Sequence, residues 1–294
     1  MLCGILPVNK PSGISSFDVI RRIKRVMPPE WKKEKIGHGG TLDNLADGVL
    51  PVLFGEATKA FDFLLQSDKI YRAIIRLGVA TDTDDSDGKI ILTSDKKISF
   101  GEVEALLPDF TGEIMQVPPR YSALKVDGRR SYELARGDVA VEHKPRKVTV
   151  HELNMESYDA ASRTLVLIVR CSSGTYIRSI ARDIGHILGC GGHIAGLTRL
   201  KSAGILLEEC TALDSITADN IESGFIDLNG ALSLPVLELK ADAAHIRNGK
   251  PLFSGLFSSQ PSEDGAYKVC KDGGLLAIVE KSSMSYKYLR VFNV

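Results

Sequence analysis

Three short segments place chemistry-bearing side chains where they could meet a ligand. The first is His38-Gly39-Gly40-Thr41-Leu42-Asp43-Asn44-Leu45-Ala46-Asp47-Gly48. Glycine lets the backbone approach a ligand closely and adopt positive φ. An aspartate between apolar residues in such a loop can face a pocket while its neighbours hold the loop down. The commoner use of such an aspartate is as a turn-former or cap, so composition alone makes Asp43 a candidate and no more. The second segment is Cys171-Ser172-Ser173-Gly174-Thr175-Tyr176-Ile177-Arg178-Ser179-Ile180-Ala181-Arg182-Asp183. It reads as a strand, a Ser-Gly turn and a helix with Arg178 in its first turn. A guanidinium beside a carboxylate favours the charged form and grips it by paired hydrogen bonds. The plainer use of Arg178 is a surface pair with Asp183 or a neighbour. The third is Lys69-Ile70-Tyr71-Arg72-Ala73, with a tyrosine at the start of a strand, a position that by itself implies only sheet packing.

These segments need elements to hold them. Residues 6–9 read as a short strand ended by Lys-Pro-Ser-Gly, after which Ser15-Ser16 can cap a helix reaching residue 27, stopped by Pro28-Pro29. Residues 36–48 read as a loop, followed by the apolar run VLPVLFG and a helix from Ala57 to Leu65. Alternation from Tyr71 to Val79 predicts a strand. Residues 81–88 form a polar loop and 100–110 a short amphipathic helix, with further strands at 121–126, 147–154 and 163–171. Residues 176–188 carry helical periodicity and stop before Gly189, Gly191 and Gly192. Strands and helices without regular βαβ alternation predict an α+β fold: a mixed, largely antiparallel sheet with flanking helices. From about residue 239 the texture changes to short strand-like segments (YKVC, LLAIVE, YLRVFN) separated by turns such as Lys271-Asp272-Gly273-Gly274. The expected division is a catalytic domain over 1–236 and a small β-rich domain over 237–294.

Composition narrows the class. At 294 residues the chain suits one large domain and a small one. No apolar run approaches the roughly 18 residues a membrane span needs, and the N-terminal residues lack the basic flank and cleavage site of a secretory signal. Five widely spaced cysteines, with no C-x-x-C pair, suit free thiols in a reducing compartment, so a cytoplasmic protein is expected. Basic and acidic residues balance at 37 each, so overall charge does not point to nucleic acid. Charge is nonetheless segregated: Arg21, Arg22, Lys24, Arg25, Lys32, Lys33 and Lys35 crowd one stretch. Arg120, Lys125, Arg129, Arg130, Arg136, Lys144, Arg146 and Lys147 crowd another. Such stretches can present a phosphate-binding face or be ordinary solvated surface.

Two patterns suggest metals and fail on spacing. In Asp82-Thr83-Asp84-Asp85-Ser86-Asp87-Gly88, taking Gly88 as the sixth position of a calcium loop puts Thr83 first and Ser94 twelfth, where carboxylates are required. His186, Cys190 and His193 have helix-like spacing, but the intervening glycines break the helix and a fourth zinc ligand is missing nearby.

Taken together and in order, the motifs are specific. GHGGTLD-x-LA-x-GVLP-x-x-x-GEATK, K-x-Y with LGVATDTDD-x-DG, PP-x-YSALKVDG-x-x-YELAR and CSSGTYIRS-x-A-x-DIG closely resemble the bacterial tRNA pseudouridine synthase B family. The likeness runs from Asn9-Lys10-Pro11 to about Gly204. It implies that Asp43 is the nucleophile, that Tyr71 stacks on the target base and that Arg178 pairs with the aspartate. It further implies that His38 helps hold the flipped-out nucleotide, that Tyr176 and Leu197 line the pocket, and that Lys10 belongs to the substrate-binding set. The tail, with His245-Ile246-Arg247-Asn248-Gly249, resembles the family's small RNA-binding, PUA-like domain. The implied activity is isomerisation of the uridine at position 55 in the tRNA T-arm, without guide RNA, metal or cofactor, by a monomer. The rival expectation is a non-catalytic tRNA-folding chaperone. The chain departs from the family at Asn44, where proline is usual, at Asp47, where a small hydroxyl residue is usual, and at Thr198-Arg199-Leu200, usually richer in arginine.

Overall fold

The computed structural model describes residues 3–122, 125–126, 129–130, 143–283 and 285–293. The side chains of residues 123–142 lie outside this set, and with them part of the expected 121–126 strand, much of the YSALKVDG-x-x-YELAR motif and Lys125, Arg129, Arg130 and Arg136 of the second basic stretch. The chain folds as two units. One comprises Met1–Leu42, Val49–Ser67 and Ser202–Val294; the other comprises Asp43–Gly48 and Asp68–Lys201. No helix among the described residues is long and apolar enough to cross a membrane.

The second unit is built on an antiparallel sheet in the order Gly192–Ser202, Lys69–Leu77, Thr164–Cys171, Arg146–Asp159, Gly112–Gln116. Residues Asp47 and Gly48 add a short parallel pairing against Thr198 and Arg199. The period of two along Lys69–Leu77 sends Lys69, Ala73, Ile75 and Leu77 into a buried face. Helix Ile177–Ile187 packs against that strand. Its apolar residues Ile177, Ile180, Ala181 and Ile184 recur at helical spacing and are buried, each large one contributing about 1.5–3 kcal/mol. Gly189, at φ 68, ends the helix. Gly185 is required for a different reason: a Cβ there would lie 2.2 Å from the backbone of Gly191 and Gly192, where the chain folds back. The opposite sheet face carries ion pairs, Arg72 with Glu156 and Arg170 with Glu152 and Asp68.

In the first unit, strands run Thr211–Ala212, Gly4–Lys10 and residues 49–54 of the strand Asp47–Phe54, with Ile36–His38 beside the last. Ser15 caps helix Ser16–Val26 in a capping box with Asp18. The C-terminal segment forms its own sheet, Val236–Glu238, Gly265–Lys271, Gly274–Ser282, Ser285–Val291. The turn between its two central strands has positive φ at Asp272 and Gly273, the pairing a tight hairpin demands. Leu237, Ile246, Phe257, Val269 and Val279 form a core within this segment. Cys270, Leu275, Ile278 and Phe292 join a second core with Ile5, Val49, Leu53 and Leu64.

The α+β architecture with a mixed sheet and an additional C-terminal sheet is as expected. Several elements differ: the expected helix over 100–110 is an α-helix only over Phe100–Leu106, continued by a 3-10 turn, Leu107–Phe110; residues 121 and 122 of the expected 121–126 strand are not in a strand; and the strand Gly112–Gln116 was not read. The expected helix over 57–65 is a 3-10 segment, Gly55–Ala60, followed by a short α-helix, Phe61–Leu65. The 36–48 loop begins with the strand Ile36–His38. The long strand Gly192–Ser202 was not read at all, because it starts with glycine and buries Arg199, which hides its alternation.

Candidate functional site

Asp43 opens a turn in which the Ala46 amide donates to the Asp43 carbonyl. The residue before it is clamped: the Ser16 hydroxyl accepts from the Leu42 amide at 2.9 Å and donates to the Leu42 carbonyl at 3.1 Å. The turn leads into the strand Asp47–Phe54, whose second residue, Gly48, at φ 102, lacks a Cβ that would lie 2.3 Å from the Arg199 carbonyl oxygen. Only glycine satisfies both the conformation and the approach.

The Asp43 carboxylate meets Arg178, with Oδ2 2.8 Å from Nε. The two ends of this pair differ in environment: the Arg178 side chain is 6% exposed and that of Asp43 38%. The carboxylate is the accessible member. Arg178 is held from behind. Its Nη1 donates to the Thr83 carbonyl at 3.1 Å and lies 3.3 Å from Asp85 Oδ2, and its Nη2 donates to the Tyr121 carbonyl at 3.0 Å. Asp85 is itself buried and fixed by the Thr83 hydroxyl at 2.6 Å and the Asp87 amide at 3.1 Å. One helical turn on, Arg182 pairs with Asp84 at 3.2 Å and Asp183 at 2.8 Å and donates to the Val117 carbonyl. Burial pushes the Asp84 carboxyl up to about 6, against the opposing pull of Arg182 and Arg178.

The acidic run that resembles a calcium loop is therefore a clamp for two arginines. The sequence carried a signal for it. Arg178 and Arg182 sit four apart, on one helix face, and buried guanidinium groups require acceptors. Asp84 and Asp85 are adjacent carboxylates with no other assigned role. Asp84, at φ 62, occupies the left-handed region that aspartate tolerates better than most residues.

Tyr71 lies on the face of the sheet that the Ile177–Ile187 helix covers, in register with Arg199 on one side and Val169 on the other. It is partly exposed. Burial pushes its hydroxyl up; the charge of Arg199 and a hydrogen bond to Arg199 pull it back, and Asp43 pushes it up again. Leu197 is buried two residues from Arg199, in register with Ala73. Tyr176 precedes the helix, its amide and carbonyl bonded to the buried Gln116 side chain at 2.8 and 3.0 Å. Burial raises its hydroxyl, which a hydrogen bond to Ser122 opposes. Asp43, Tyr71, Tyr176, Arg178 and Leu197 thus all belong to one unit.

Lys10 and His38 belong to the other. Lys10 is fully buried, its ammonium donating to the carbonyls of Pro11 at 2.9 Å and Ile14 at 2.7 Å, which pins the turn before helix Ser16–Val26. His38 ends its strand opposite Val52 and borders a cavity of about 330 Å3 with Phe17, Ile20, Leu53 and Phe61. Neither metal pattern gathers its groups into a cluster among the described residues. The His193 ring faces the Val79 carbonyl and the Cys190 thiol the Gly191 carbonyl. Arg199 and Asp85 are the site residues that the sequence did not single out.

A partly exposed carboxylate held by a buried, four-point arginine, beside an aromatic ring, can form and release a covalent bond to an electrophilic carbon of a planar ligand. Comparison with known proteins gives the family. Residues 24–177 match the model of the TruB family pseudouridylate synthase N-terminal domain. The chain is 38% identical to tRNA pseudouridine synthase B of Clostridium kluyveri over 98% of this chain and 99% of that one. It is 40% identical to the synthase of that name from Methylobacillus flagellatus, over 90% of this chain and 89% of that one. In fold it is similar to the crystal structure of a Cbf5-Nop10-Gar1 complex, with a TM-score of 0.75 and 23% identity over 98% of this chain and 84% of that one. The extent of these matches places the protein in the TruB family of pseudouridylate synthases.

Proposed function

We propose that this enzyme isomerises the uridine at position 55 of the tRNA T-arm to pseudouridine, as a monomer in the cytoplasm and without guide RNA. The observation that carries the reading is the Asp43–Arg178 pair, 2.8 Å long, with its carboxylate end exposed and its guanidinium end buried. A uridine stacked in a folded loop is out of reach, so the base must first be flipped out. Tyr71 offers the aromatic face on which it stacks, an interaction worth roughly 1–3 kcal/mol per base. Tyr176 and Leu197 line the pocket. The C1′–N1 bond breaks and the Asp43 carboxylate bonds transiently to the electrophilic centre. The base turns, C5 joins C1′ as the carboxylate leaves, the C5 proton passes to solvent and N1 takes up a proton in its place. Product and substrate are isomers and no oxidation state changes hands with another molecule, so the reaction calls for no redox partner.

His38 acts in substrate binding by holding the flipped nucleotide, and Lys10, fully buried, serves that binding only through the turn it pins by its bonds to the Pro11 and Ile14 carbonyls. Residues 1–236 act as the catalytic domain and 237–294 as a PUA-like RNA-binding domain; the sheet and core within the tail support this division. Relatives that match nearly end to end and are named tRNA pseudouridine synthase B support a stand-alone tRNA enzyme.

The test uses an unmodified tRNA transcript with the wild-type protein and with Asp43→Asn. Pseudouridine is mapped by carbodiimide labelling and reverse-transcription stops, with filter binding alongside. A single T-arm stop from the wild type, and tRNA bound by both proteins, is expected. Tight binding without any stop from the wild type would replace the enzyme with a tRNA-folding chaperone.

A further inference from the structure

Arg199 is the largest fully buried side chain described, 1% exposed. It lies on the strand Gly192–Ser202 in direct register with Tyr71, and a hydrogen bond joins the two side chains. Directly opposed residues of an antiparallel pair place their Cβ atoms about 4.5–5.5 Å apart, on one face. The guanidinium, which can only donate, therefore donates to the phenol oxygen. The strand is irregular on both sides of this contact, with register shifts at Ile194/Gly196 and Arg199/Lys201. Bulges of this kind re-aim a side chain. The main chain of Arg199 makes a second connection. It pairs with Gly48, and the fit is close enough that a Cβ on Gly48 would meet both the nitrogen and the carbonyl oxygen of Arg199. Gly48 lies at the start of the strand that follows the turn Asp43 opens.

The charge of Arg199 is felt nearby. It reinforces the effect of burial on Lys69, two residues before Tyr71, whose ammonium is lowered to about 8. A long cation is costly to bury. Sheet packing alone would be met better by an apolar side chain, as at Leu197 two positions earlier.

We propose that Arg199 is a positioning residue for pseudouridine formation: its guanidinium holds the Tyr71 hydroxyl, and so the plane of the ring on which the target base stacks. Its main chain ties that strand to the Asp43 turn. This rests on the proposed role of Tyr71 as a stacking platform. Phenylalanine at position 71 would still stack, but its ring would be free of the guanidinium. Loss of either partner then has the same consequence.

The experiment is a double-mutant cycle with Tyr71→Phe, Arg199→Met and the double variant. It reads the single-turnover rate of pseudouridine formation by tritium release from tRNA carrying 5-tritiated uridine, with tRNA affinity measured by filter binding. Arg199→Met is expected to slow the reaction about ten- to 150-fold, the range for a hydrogen bond to a charged group, with affinity unchanged. The double variant is expected to be no slower than Tyr71→Phe. Multiplicative losses, a loss confined to affinity, or a wild-type rate in Tyr71→Phe each overturn the proposal. If Arg199→Met does not fold, Arg199→Lys keeps the buried charge without the planar fork and carries the same cycle: a slower rate, again not compounded by Tyr71→Phe, is required. A wild-type protein that makes no pseudouridine refutes the functional reading itself, whereas product with compounding losses refutes only the role of Arg199.

Discussion

Asp85→Asn isolates the electrostatic part of the arginine clamp. The Asp85 carboxylate lies 3.3 Å from Arg178 Nη1 with only 8% of its side chain exposed. At an effective dielectric constant near 20, two unit charges at that distance attract by about 5 kcal/mol before desolvation is subtracted. Asparagine keeps the shape and one acceptor, and Arg178 retains Asp43 and the Thr83 and Tyr121 carbonyls. The net loss is then that of the charge in a close buried ion pair, comparable to one hydrogen bond to a charged group, about 1.5–3 kcal/mol. If it falls on the transition state, the rate drops about ten- to 150-fold. Asp85 is turned towards Arg178 and the Thr83 hydroxyl and is buried, so tRNA affinity should not change. The assay is single-turnover pseudouridine formation with filter binding in parallel and thermal unfolding as the control for folding. An unchanged rate, or a loss confined to tRNA affinity, would refute the argument that Arg178 must be oriented from behind to serve Asp43.

Three further outcomes are expected. Gly48→Ala forces a β-carbon against the Arg199 backbone at φ 102; strain of about 1–3 kcal/mol should lower the urea midpoint and displace the Asp43 turn, and a variant as stable and active as wild type would contradict the close approach. Asp84 has a carboxyl raised to about 6 from 3.8, so the native state binds more protons than the unfolded chain between those values. Its contribution to stability is present below about pH 4 and is lost as pH rises through about 6. Asp84→Asn should therefore flatten the fall in melting temperature between pH 4 and 6, and an unaltered slope would exclude Asp84 as its source. Ser15→Ala removes the capping box of helix Ser16–Val26 and should cost about 1 kcal/mol in urea unfolding; no change would show that the Leu42 clamp alone secures that helix.

The sequence by itself determined the elements whose signals are local. Ser15-Ser16 announce a helix start, Gly189 a helix end and Asp272-Gly273 a tight turn, because caps and tight turns are satisfied within a few residues. It also singled out Asp43, Tyr71 and Arg178, since a glycine-rich loop, a strand-entry tyrosine and a first-turn arginine occur in long, ordered motifs. Partnership between distant residues was another matter. The run Asp82–Gly88 could be rejected as a calcium loop from spacing, yet only the fold brings Asp85 to Arg178 and Asp84 to Arg182, from positions more than ninety residues apart. Lys10 shows the converse: its position in a matching motif says nothing of its ammonium, which the fold spends on two backbone carbonyls. Arg199 stood in the sequence only as part of Thr198-Arg199-Leu200; the strand that carries it was not read, and a charged residue gives no sign of its own burial. Burial is a property of what packs on the strand, and here the tertiary structure supplies Tyr71 as its neighbour. Short-range hydrogen bonding is written in adjacent letters, whereas the environment of a buried charge is set by segments that meet only when the chain has folded.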